Sequence, residues 1–383
     1  MAALGGSVVR IRAAVLREMG LPTPYAESRP LEICDVELDD PGPGEMLVKI
    51  GAAGLCHSDL SVIDGSRPRV MPMALGHEAA GTVVSVGPGV ERFGVGDRIA
   101  VAFVPACGDC RPCQQGRAAL CEPGAAANTA GTLLSGERRL RLAETGEVLH
   151  HHLGVSAFAD HAVVAPESAI PIPDDLPFEL AALFGCAVLT GVGAVMNAAH
   201  VTPEDTIAVF GLGGVGMSAV LGARLAGAKA ILAVDTVPNK LALAERIAGA
   251  TPVAAGADVA DRVRSETGGG ADYVIETVGN AEVLAQAYAA TRRGGSTITV
   301  GLPHPDRMLT IPAVSLAAEE RTLRGSYLGS SVPVRDVPRF INHYRNGELP
   351  VQELLTHRMG LEQINEGFDR LARGEAVRQV VIF

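Results

Sequence analysis

Short runs of alternating apolar and polar residues fill the first half of the chain. IRAAVL, LEICDVEL, EMLVKIGAAG and AAGTVVSVG are typical of strands, and clusters of Pro, Gly and Asp such as DDPGPGE separate them. The spacing of these runs predicts a β-rich, barrel-like domain.

The pattern changes near residue 188. TIAVFGLGGVGMSAVLGARLAGAKAILAVD predicts a buried strand, a glycine turn, an Ala-rich helix and a second strand. NKLALAERIAGA and AEVLAQAYAATRRGG then predict helices, while ADYVIETVG and STITVGLP predict strands. Strands that alternate with helices of this length indicate βαβ units and a parallel sheet. Residues 329–383 add two helical patterns and a final strand, which we interpret as a return to the first domain.

Composition agrees with an α/β fold class. The chain has 383 residues, of which 48% are hydrophobic and 4% aromatic, and it contains 45 glycines and no Trp. The formal net charge of −11 argues against a nucleic-acid or anionic membrane partner, which would need clustered Lys and Arg.

Two further features bear on localisation. The sequence pattern predicts no apolar run of the ~18–20 residues that span a bilayer. The first residues, MAALGGSVVRIRAAV, do not have the pattern of a secretory leader. We therefore expect a cytoplasmic protein, in which the seven Cys are metal ligands or packing groups rather than disulfides.

A glycine turn, GLGGVG, fits the dinucleotide-binding pattern G-x-G-x-x-G between a strand and a helix. Asp235 closes the second strand, where its carboxylate can accept hydrogen bonds from the adenine ribose hydroxyls, and this favours NAD over NADP. Gly-rich turns without a ligand are common, however, and Asp235 can equally be a solvated strand-end carboxylate. Lys240 is either a ribose contact or a surface residue at a helix start.

Four cysteines lie close together in CGDCRPCQQGRAALC, at Cys107, Cys110, Cys113 and Cys121. Four thiolates at this spacing can surround one tetrahedral zinc and leave no open position, which predicts a structural zinc. A [4Fe–4S] cluster is the main alternative.

The other cysteines are dispersed. Cys34 has the pattern of a packed strand residue, whereas Cys56, in GLCHSD, and Cys186, in LFGCAVLTG, lie among small residues, as does His77 in ALGHEAAG. Spacing alone leaves it open whether Cys56, His77 and Cys186 form one site. The His150–His152 run also invites a metal interpretation, which we do not favour.

These motifs together resemble the zinc-containing medium-chain alcohol dehydrogenases. The resemblance covers nearly the whole chain and includes GLCHSD, LGHEAAGTV, the four-cysteine segment, HHHLGVSAFADHAVV, GCAVLTG, VFGLGGVG and INEGFDRLARGEAVRQVV. It implies a GroES-like catalytic domain, residues 1–187 and 329–383, with a structural zinc lobe at about 105–123. A Rossmann NAD-binding domain with a doubly wound parallel sheet would span residues 188–328.

The resemblance also implies site residues and two zinc ions per chain. Cys56, His77 and Cys186 would hold the catalytic zinc, Ser58 would exchange a proton with the substrate oxygen, and Asp59 would orient His77. Glu78 would lie behind the zinc, unless it is an ordinary loop carboxylate. Residues expected around NAD are His57, Thr190, Gly211, Leu212, Gly213, Gly214, Val215, Gly216, Asp235, Lys240, Val300, Leu302 and Arg378. Those expected in the substrate pocket, any of which could instead be core residues, are Phe103, Leu302 and Leu328.

Within the family, the long segment between Cys121 and Cys186 resembles the branch of liver-type and glutathione-dependent formaldehyde dehydrogenases, which implies a homodimer. The formaldehyde branch carries acidic residues shortly after the zinc cysteine, where this chain has Arg67 and Arg69. That difference favours primary, aromatic or secondary alcohols over S-(hydroxymethyl)glutathione. Many relatives also carry a relay histidine where this chain has Ser61. A nucleic-acid-binding zinc protein and a catalytically silent relative are the alternatives from other classes.

Overall fold

The structure is a computed structural model that describes residues 8–383. Its strands are β1 (Val8–Leu16), β2 (Leu31–Asp39), β3 (Met46–Gly54), β4 (Met73–Ala74), β5 (Glu78–Val86), β6 (Arg98–Val101), β7 (Leu140–Leu142), β8 (Val148–His151), β9 (His161–Val164), β10 (Ala169–Pro171), β11 (Thr206–Phe210), β12 (Ala230–Asp235), β13 (Thr251–Ala254), β14 (Ala271–Glu276), β15 (Thr291–Thr299), β16 (Thr322–Gly325), β17 (Leu355–Met359) and β18 (Arg378–Ile382).

The α-helices are α1 (Tyr25–Ser28), α2 (His57–Ile63), α3 (Arg111–Gln114), α4 (Glu122–Ala130), α5 (Phe178–Leu183), α6 (Leu189–Gly193), α7 (Gly214–Leu225), α8 (Pro238–Ala248), α9 (Val259–Thr267), α10 (Ala281–Ala290), α11 (Ala313–Ala318), α12 (Pro333–Arg345) and α13 (Ile364–Ala372). Short 3₁₀ turns lie at Ala118–Leu120, Pro166–Ser168, Leu328–Ser330, Val351–Leu354 and Leu361–Gln363.

The β-rich part consists of a closed barrel and a neighbouring sheet. The barrel has the strand order β1-β2-β7-β8-β4, and the sheet has the order β10-β6-β5-β3-β18-β17, with β9 also paired to β3. Apolar side chains of β1 and β3 fill the cores on both sides of these strands. Strand β18, at the end of the chain, pairs antiparallel with β3, so C-terminal residues complete the sheet from which Cys56 emerges.

The remaining strands form a parallel sheet with the order β13-β12-β11-β14-β15-β16. This is the doubly wound order of a Rossmann fold, in which ligands bind at the carboxyl ends of the strands. The predicted fold class, a β-rich domain joined to a doubly wound parallel sheet, is confirmed.

One predicted helix runs too far. AEVLAQAYAATRRGG was predicted to be helical throughout, but α10 ends at Ala290 and β15 begins at Thr291. The Thr291 hydroxyl hydrogen-bonds to the Thr297 hydroxyl, 2.7 Å away in the same strand, and to the Ala287 carbonyl. One contact is with helix α10 and the other lies within strand β15, and neither leaves a periodicity in the sequence.

The structure also corrects the prediction that no apolar segment is long enough to cross a membrane. Helices α5 and α6 join through π-helical turns into one helix, Phe178–Ala199, of 22 residues. In the most apolar 18-residue stretch of this helix, 89% of the residues are buried, so it is a core helix of the fold. The expected cytoplasmic localisation stays a prediction.

Candidate active site

A buried cluster brings together Cys56, His77 and Cys186 from three distant segments. Cys56 caps the start of α2, His77 precedes β5, and Cys186 lies in the π-helical turn Phe184–Val188. His77 Nε2 lies 3.6 Å from Cys186 Sγ, and one ligand atom from each residue, together with a Glu78 carboxylate oxygen, lies within 4.8 Å of the others. The spacing of Cys56, His77 and Cys186 in the sequence left it open whether they form one site, and the fold brings them together.

Close backbone packing makes this approach possible. A Cβ at Gly185 would overlap the carbonyl of Val101, so the long helix sits directly on strand β6 beside Cys186. A Cβ at Gly54 would overlap the Glu78 carboxylate in the same way. The small residues around the cluster therefore let three elements converge on one point.

The donor set fits a catalytic zinc. Two thiols and one imidazole are soft and borderline ligands, and three protein ligands are the number that leaves one position for water or substrate. Both carboxylate oxygens of Glu78 are buried and make no hydrogen bond within residues 8–383. A buried carboxylate that accepts no hydrogen bond is costly even with Arg378 nearby, and a cation in the cluster would offset that cost.

Asp59 makes hydrogen bonds to two members of the cluster. Its carboxylate accepts a hydrogen bond from His77 Nδ1 over 3.0 Å and another from the Cys56 backbone N–H over 3.1 Å. Because Nδ1 of His77 faces Asp59, Nε2 is presented to the cysteines. Burial opposes the charging of His77, but the nearby Asp59 carboxylate raises the pKa of the imidazole well above its usual value.

The pKa values of Cys56 and Cys186 are shifted in opposite directions. A hydrogen bond from Cys186 lowers the pKa of Cys56 well below its usual value, and the same bond raises the pKa of Cys186. Burial raises the pKa of Glu78 to about 7, although the Arg378 guanidinium, 3.7 Å away, opposes that rise.

Arg378 connects this cluster to the glycine turn. Its Nη1 donates to the Leu55 carbonyl over 3.0 Å, and a Cβ at Gly214, the first residue of α7, would overlap its Nε. Arg378 Nε is buried without a hydrogen-bond partner in the described chain. The guanidinium thus lies between Glu78 and the helix start at which a pyrophosphate would bind.

The glycine turn has the geometry that dinucleotide binding requires. Gly211 adopts a φ of +88°, and a Cβ at Gly216 would overlap the Gly211 carbonyl, so both positions need glycine. Asp235, at the end of β12, accepts hydrogen bonds from the backbone N–H groups of Leu212 (2.6 Å) and Val237 (2.9 Å). A Cβ at Gly213 would meet nothing within 4 Å, which leaves that face of the turn open.

Other residues predicted to surround a cofactor border this turn. Gly191 packs against the Val215 carbonyl, which brings neighbouring Thr190 to the start of α7. Lys240 is buried near the end of β12, where burial lowers its pKa and the Asp235 charge opposes that shift. Val300 follows β15 at the carboxyl edge of the parallel sheet, and His57 is the exposed first residue of α2.

The four-cysteine segment forms a second cluster. One sulfur from each of Cys107, Cys110, Cys113 and Cys121 lies within 4.8 Å of the others. Backbone N–H groups of Cys107 and Gly124 donate to Cys121 Sγ, and the N–H of Cys110 donates to Cys107 Sγ. Hydrogen bonds from the backbone N–H groups of Cys113 and Glu122 lower the pKa of Cys110 to about 7. Four converging sulfurs with no other ligand fit a closed metal site.

Two family models match the chain. The alcohol dehydrogenase GroES-like domain matches residues 42–174, and the zinc-binding dehydrogenase domain matches residues 214–344. Alcohol dehydrogenase class-3 of Drosophila melanogaster is 36% identical over 100% of both chains. The chain belongs to the zinc-binding alcohol dehydrogenase family. Its members are oxidoreductases that act on alcohols, and this protein is one of them.

Solved structures agree with this assignment. The alcohol dehydrogenase zinc-binding domain protein from Burkholderia ambifaria superposes with a TM-score of 0.91 at 37% identity, covering 98% of this chain and 100% of that one. Benzyl alcohol dehydrogenase from Acinetobacter calcoaceticus gives a TM-score of 0.89 at 30% identity, with 98% and 99% covered.

A cavity of the dehydrogenase opens beside the buried cluster. It is lined by Ser58, Val62, Arg67, Arg69, Phe103, His152, Leu153, Leu302 and Tyr327. Phe103 packs edge-on against His77, with ring centroids 5.3 Å apart, and Tyr327 packs edge-on against Phe103 at 5.8 Å. These contacts connect the cavity to the candidate metal ligands.

One predicted pocket residue is placed elsewhere. Leu328 does not line this cavity, because its side chain is buried in the core within the turn Leu328–Ser330. The preceding residue, Tyr327, lines the cavity instead. Leu328 lies in the left-handed region, with a φ of +50°, and such a local backbone reversal is not visible in the sequence pattern.

The three consecutive histidines diverge, so their imidazoles do not meet at one point. His150 is half-buried beside Arg138, and His151 accepts a hydrogen bond from the Arg139 backbone N–H over 3.1 Å. His152 points into the active site, where its Nδ1 lies 3.1 Å from Asp59 Oδ1 without good hydrogen-bond alignment. Sequence reasoning missed His152, which directly follows β8 and whose orientation no sequence pattern indicated.

Proposed function

We propose that this dehydrogenase uses NAD and zinc to convert primary, aromatic or secondary alcohols reversibly to aldehydes or ketones. The observation that carries the proposal is the buried Cys56–His77–Cys186 cluster beside a cavity lined by Ser58. Arg378 joins the cluster to the glycine turn, so a metal and a dinucleotide would meet at one cavity.

Cys56, His77 and Cys186 would hold the catalytic zinc. When bound, zinc supplies a Lewis acid that polarises the substrate oxygen and lowers the pKa of its hydroxyl. Asp59 keeps His77 in the orientation that presents Nε2, and Glu78 supplies a negative charge behind the cluster. Ser58 faces the cavity and would accept the hydroxyl proton as it leaves.

The glycine turn Gly211–Gly216 would hold the pyrophosphate of NAD, with Arg378 against it and Asp235 on the adenine ribose. Bound NAD would supply the acceptor for the hydride that leaves the alcohol carbon, and the alcohol oxygen would give up one proton. Thr190 and Val215, which the packing of Gly191 brings together, would position the nicotinamide. Further contacts are assigned to His57, Leu212, Gly213, Gly214, Lys240, Val300 and Leu302.

The proton route differs from that of relatives with a relay histidine. Ser61 stands at that position, and its hydroxyl donates to the His57 carbonyl over 2.8 Å. A hydroxyl bound to its own helix is a poor proton acceptor near neutral pH. The proton therefore passes from Ser58 to water.

Cys107, Cys110, Cys113 and Cys121 would hold a second, structural zinc. We also propose domain boundaries at 187/188 and 328/329, a cytoplasmic homodimer, and no nucleic-acid or membrane partner. Light scattering of the purified protein tests the dimer. A monomer in solution would contradict that part of the proposal alone.

Free alcohols are preferred here over S-(hydroxymethyl)glutathione, the substrate of the alternative branch. Arg67 and Arg69 replace the acidic residues of that branch, and a related structure is a benzyl alcohol dehydrogenase. The zinc-loaded enzyme with NAD should produce NADH from hexanol, benzyl alcohol or cinnamyl alcohol. Cys56→Ala should abolish that turnover, and turnover mainly on the glutathione adduct would favour the alternative.

A further inference from the structure

Two arginines line the cavity that contains Ser58. Arg67 and Arg69 lie in the segment between α2 and β4, and Tyr327, which packs edge-on against Phe103, lines the same cavity. The Arg67 backbone N–H donates to the Ser61 carbonyl over 2.7 Å, which ties this segment to α2. Because α2 begins directly after Cys56, the arginines are held at a defined distance from the candidate metal ligands.

Within the described part of the chain, neither guanidinium has an anionic partner. Within residues 8–383, the side chains of Arg67 and Arg69 make no salt bridge and no hydrogen bond, and Arg69 Nε is buried. Other half-buried arginines are paired; Arg139, for example, donates to Glu45 over 2.8 Å. Burial and the charge of Arg67 lower the pKa of Arg69, so holding both cations here costs free energy.

The free space in the cavity is about 20 Å³, which is room for about one water. A substrate must therefore displace lining side chains. The side chains of the two arginines are long and make no hydrogen bond to residues 8–383, so they can move without breaking one. An anionic group on the substrate would give both guanidiniums the partner that the fold does not provide.

We propose that Arg67 and Arg69 bind a carboxylate on the substrate, so that the preferred substrates are alcohols or aldehydes that carry a carboxylate. The inference rests on the proposed alcohol dehydrogenase function. The carboxylate takes no part in the chemistry, since the hydride and the proton both leave the alcohol group. Guanidinium forks match carboxylates bidentately, which gives orientation as well as affinity.

The test compares matched substrates on the zinc-loaded full-length enzyme with saturating NAD. The charged members are 4-(hydroxymethyl)benzoate and 6-hydroxyhexanoate, and the neutral members are 4-(hydroxymethyl)benzamide and 1-hexanol. We expect kcat/KM to favour the charged member by at least about tenfold in one pair. In the double variant Arg67→Gln, Arg69→Gln that ratio should fall to about one, since the bidentate contacts are lost.

Arg10→Gln is the matched control, because Arg10 is an exposed arginine on β1 that lines a different cleft. In this variant the ratio of kcat/KM for the charged substrate to kcat/KM for the neutral one should equal that of the wild type. Calorimetric titration with 4-methylbenzoate and 4-methylbenzamide provides a second readout that needs no turnover. Carboxylate binding that disappears in the double variant but persists in Arg10→Gln would support the proposal.

Two outcomes separate this inference from the proposed function. Turnover of neutral alcohols with a ratio of one or less in both pairs would overturn the inference and leave the function intact. No turnover of any alcohol, with arginine-dependent binding of 4-methylbenzoate retained, would overturn the function alone. Arginine-dependent preference for S-(hydroxymethyl)glutathione, which itself carries two carboxylates, over both hydroxy acids would support carboxylate binding by the arginines and overturn the preference for free alcohols.

Discussion

The two cysteine clusters of this dehydrogenase are assembled in opposite ways. Cys107, Cys110, Cys113 and Cys121 all come from one short segment, and three of them are partly exposed. Cys56, His77 and Cys186 come from three distant segments and are fully buried. Chain spacing accounts for the first cluster, whereas the second depends on the packing of a long helix against strand β6.

The surroundings of the two clusters differ as well. Backbone N–H groups surround the sulfurs of the four-cysteine cluster, and its four ligands leave no position open. The buried cluster instead has three strong ligands, an orienting Asp59 and an adjoining cavity. The first arrangement suits a site that stabilises the fold, and the second suits a site that performs chemistry.

The strongest test of this contrast is His77→Ala. The substitution removes one candidate ligand and leaves Asp59 buried without its imidazole partner, so alcohol oxidation should fall on the order of 10³-fold or more. Metal analysis should find the catalytic zinc lost and the four-cysteine zinc retained. His150→Ala, a histidine outside the cluster, is the control and should keep both metal and activity. Full activity in His77→Ala would exclude His77 as a ligand.

A smaller effect is expected from Asp59→Asn, which keeps the shape of the side chain but removes its charge. Groups that orient a metal-ligating histidine contribute about 10–100-fold to metal affinity or activity. We expect kcat/KM to fall within that range and zinc to dissociate faster in a chelator competition assay. Asp64→Asn, at the exposed end of α2, should behave like the wild type. Equal losses in both variants would contradict an orienting role for Asp59.

Cys110→Ser should affect the fold more than the chemistry. Loss of a structural zinc removes its contribution to folding, so the melting temperature should fall by about 5 °C or more. Activity per folded molecule should stay within about threefold, because no cysteine of this cluster lines the cavity. Cys34→Ser, on strand β2, tests for a general effect of losing a thiol. Lost activity with an unchanged melting temperature would reverse the roles assigned to the clusters.

The smallest expected change follows Ser61→His. An imidazole at this position would accept protons that otherwise pass to water, so hydride transfer should gain a dependence on a group with a pKa of about 6.5. The rate should fall as the pH drops below that value, because a protonated imidazole cannot accept a proton. Stopped-flow measurement of NADH formation between about pH 5.5 and 9 gives the pH dependence of the hydride-transfer rate. Identical profiles for the variant and the wild type would refute the proposed proton route.

Local patterns allowed much of this molecule to be predicted. The spacing of four cysteines within residues 107–121 restricts their sulfurs to a small volume, so the segment alone predicted the cluster that the structure contains. The glycine turn was predictable for the same reason, since the tight φ at Gly211 and the close approach at Gly216 are properties of one continuous segment.

Contacts between distant segments were not predictable in this way. The convergence of Cys56 with Cys186 was suggested by family resemblance and not by spacing. The unpaired state of Arg67 and Arg69, the inward orientation of His152 and the exchange of Leu328 for Tyr327 in the pocket became visible in the folded chain. Each depends on which side chain faces a shared space, and hydrophobic periodicity carries no information about partners that lie far away in the sequence. Local geometry is encoded by neighbouring residues, whereas the chemistry of this site arises where separate elements pack together.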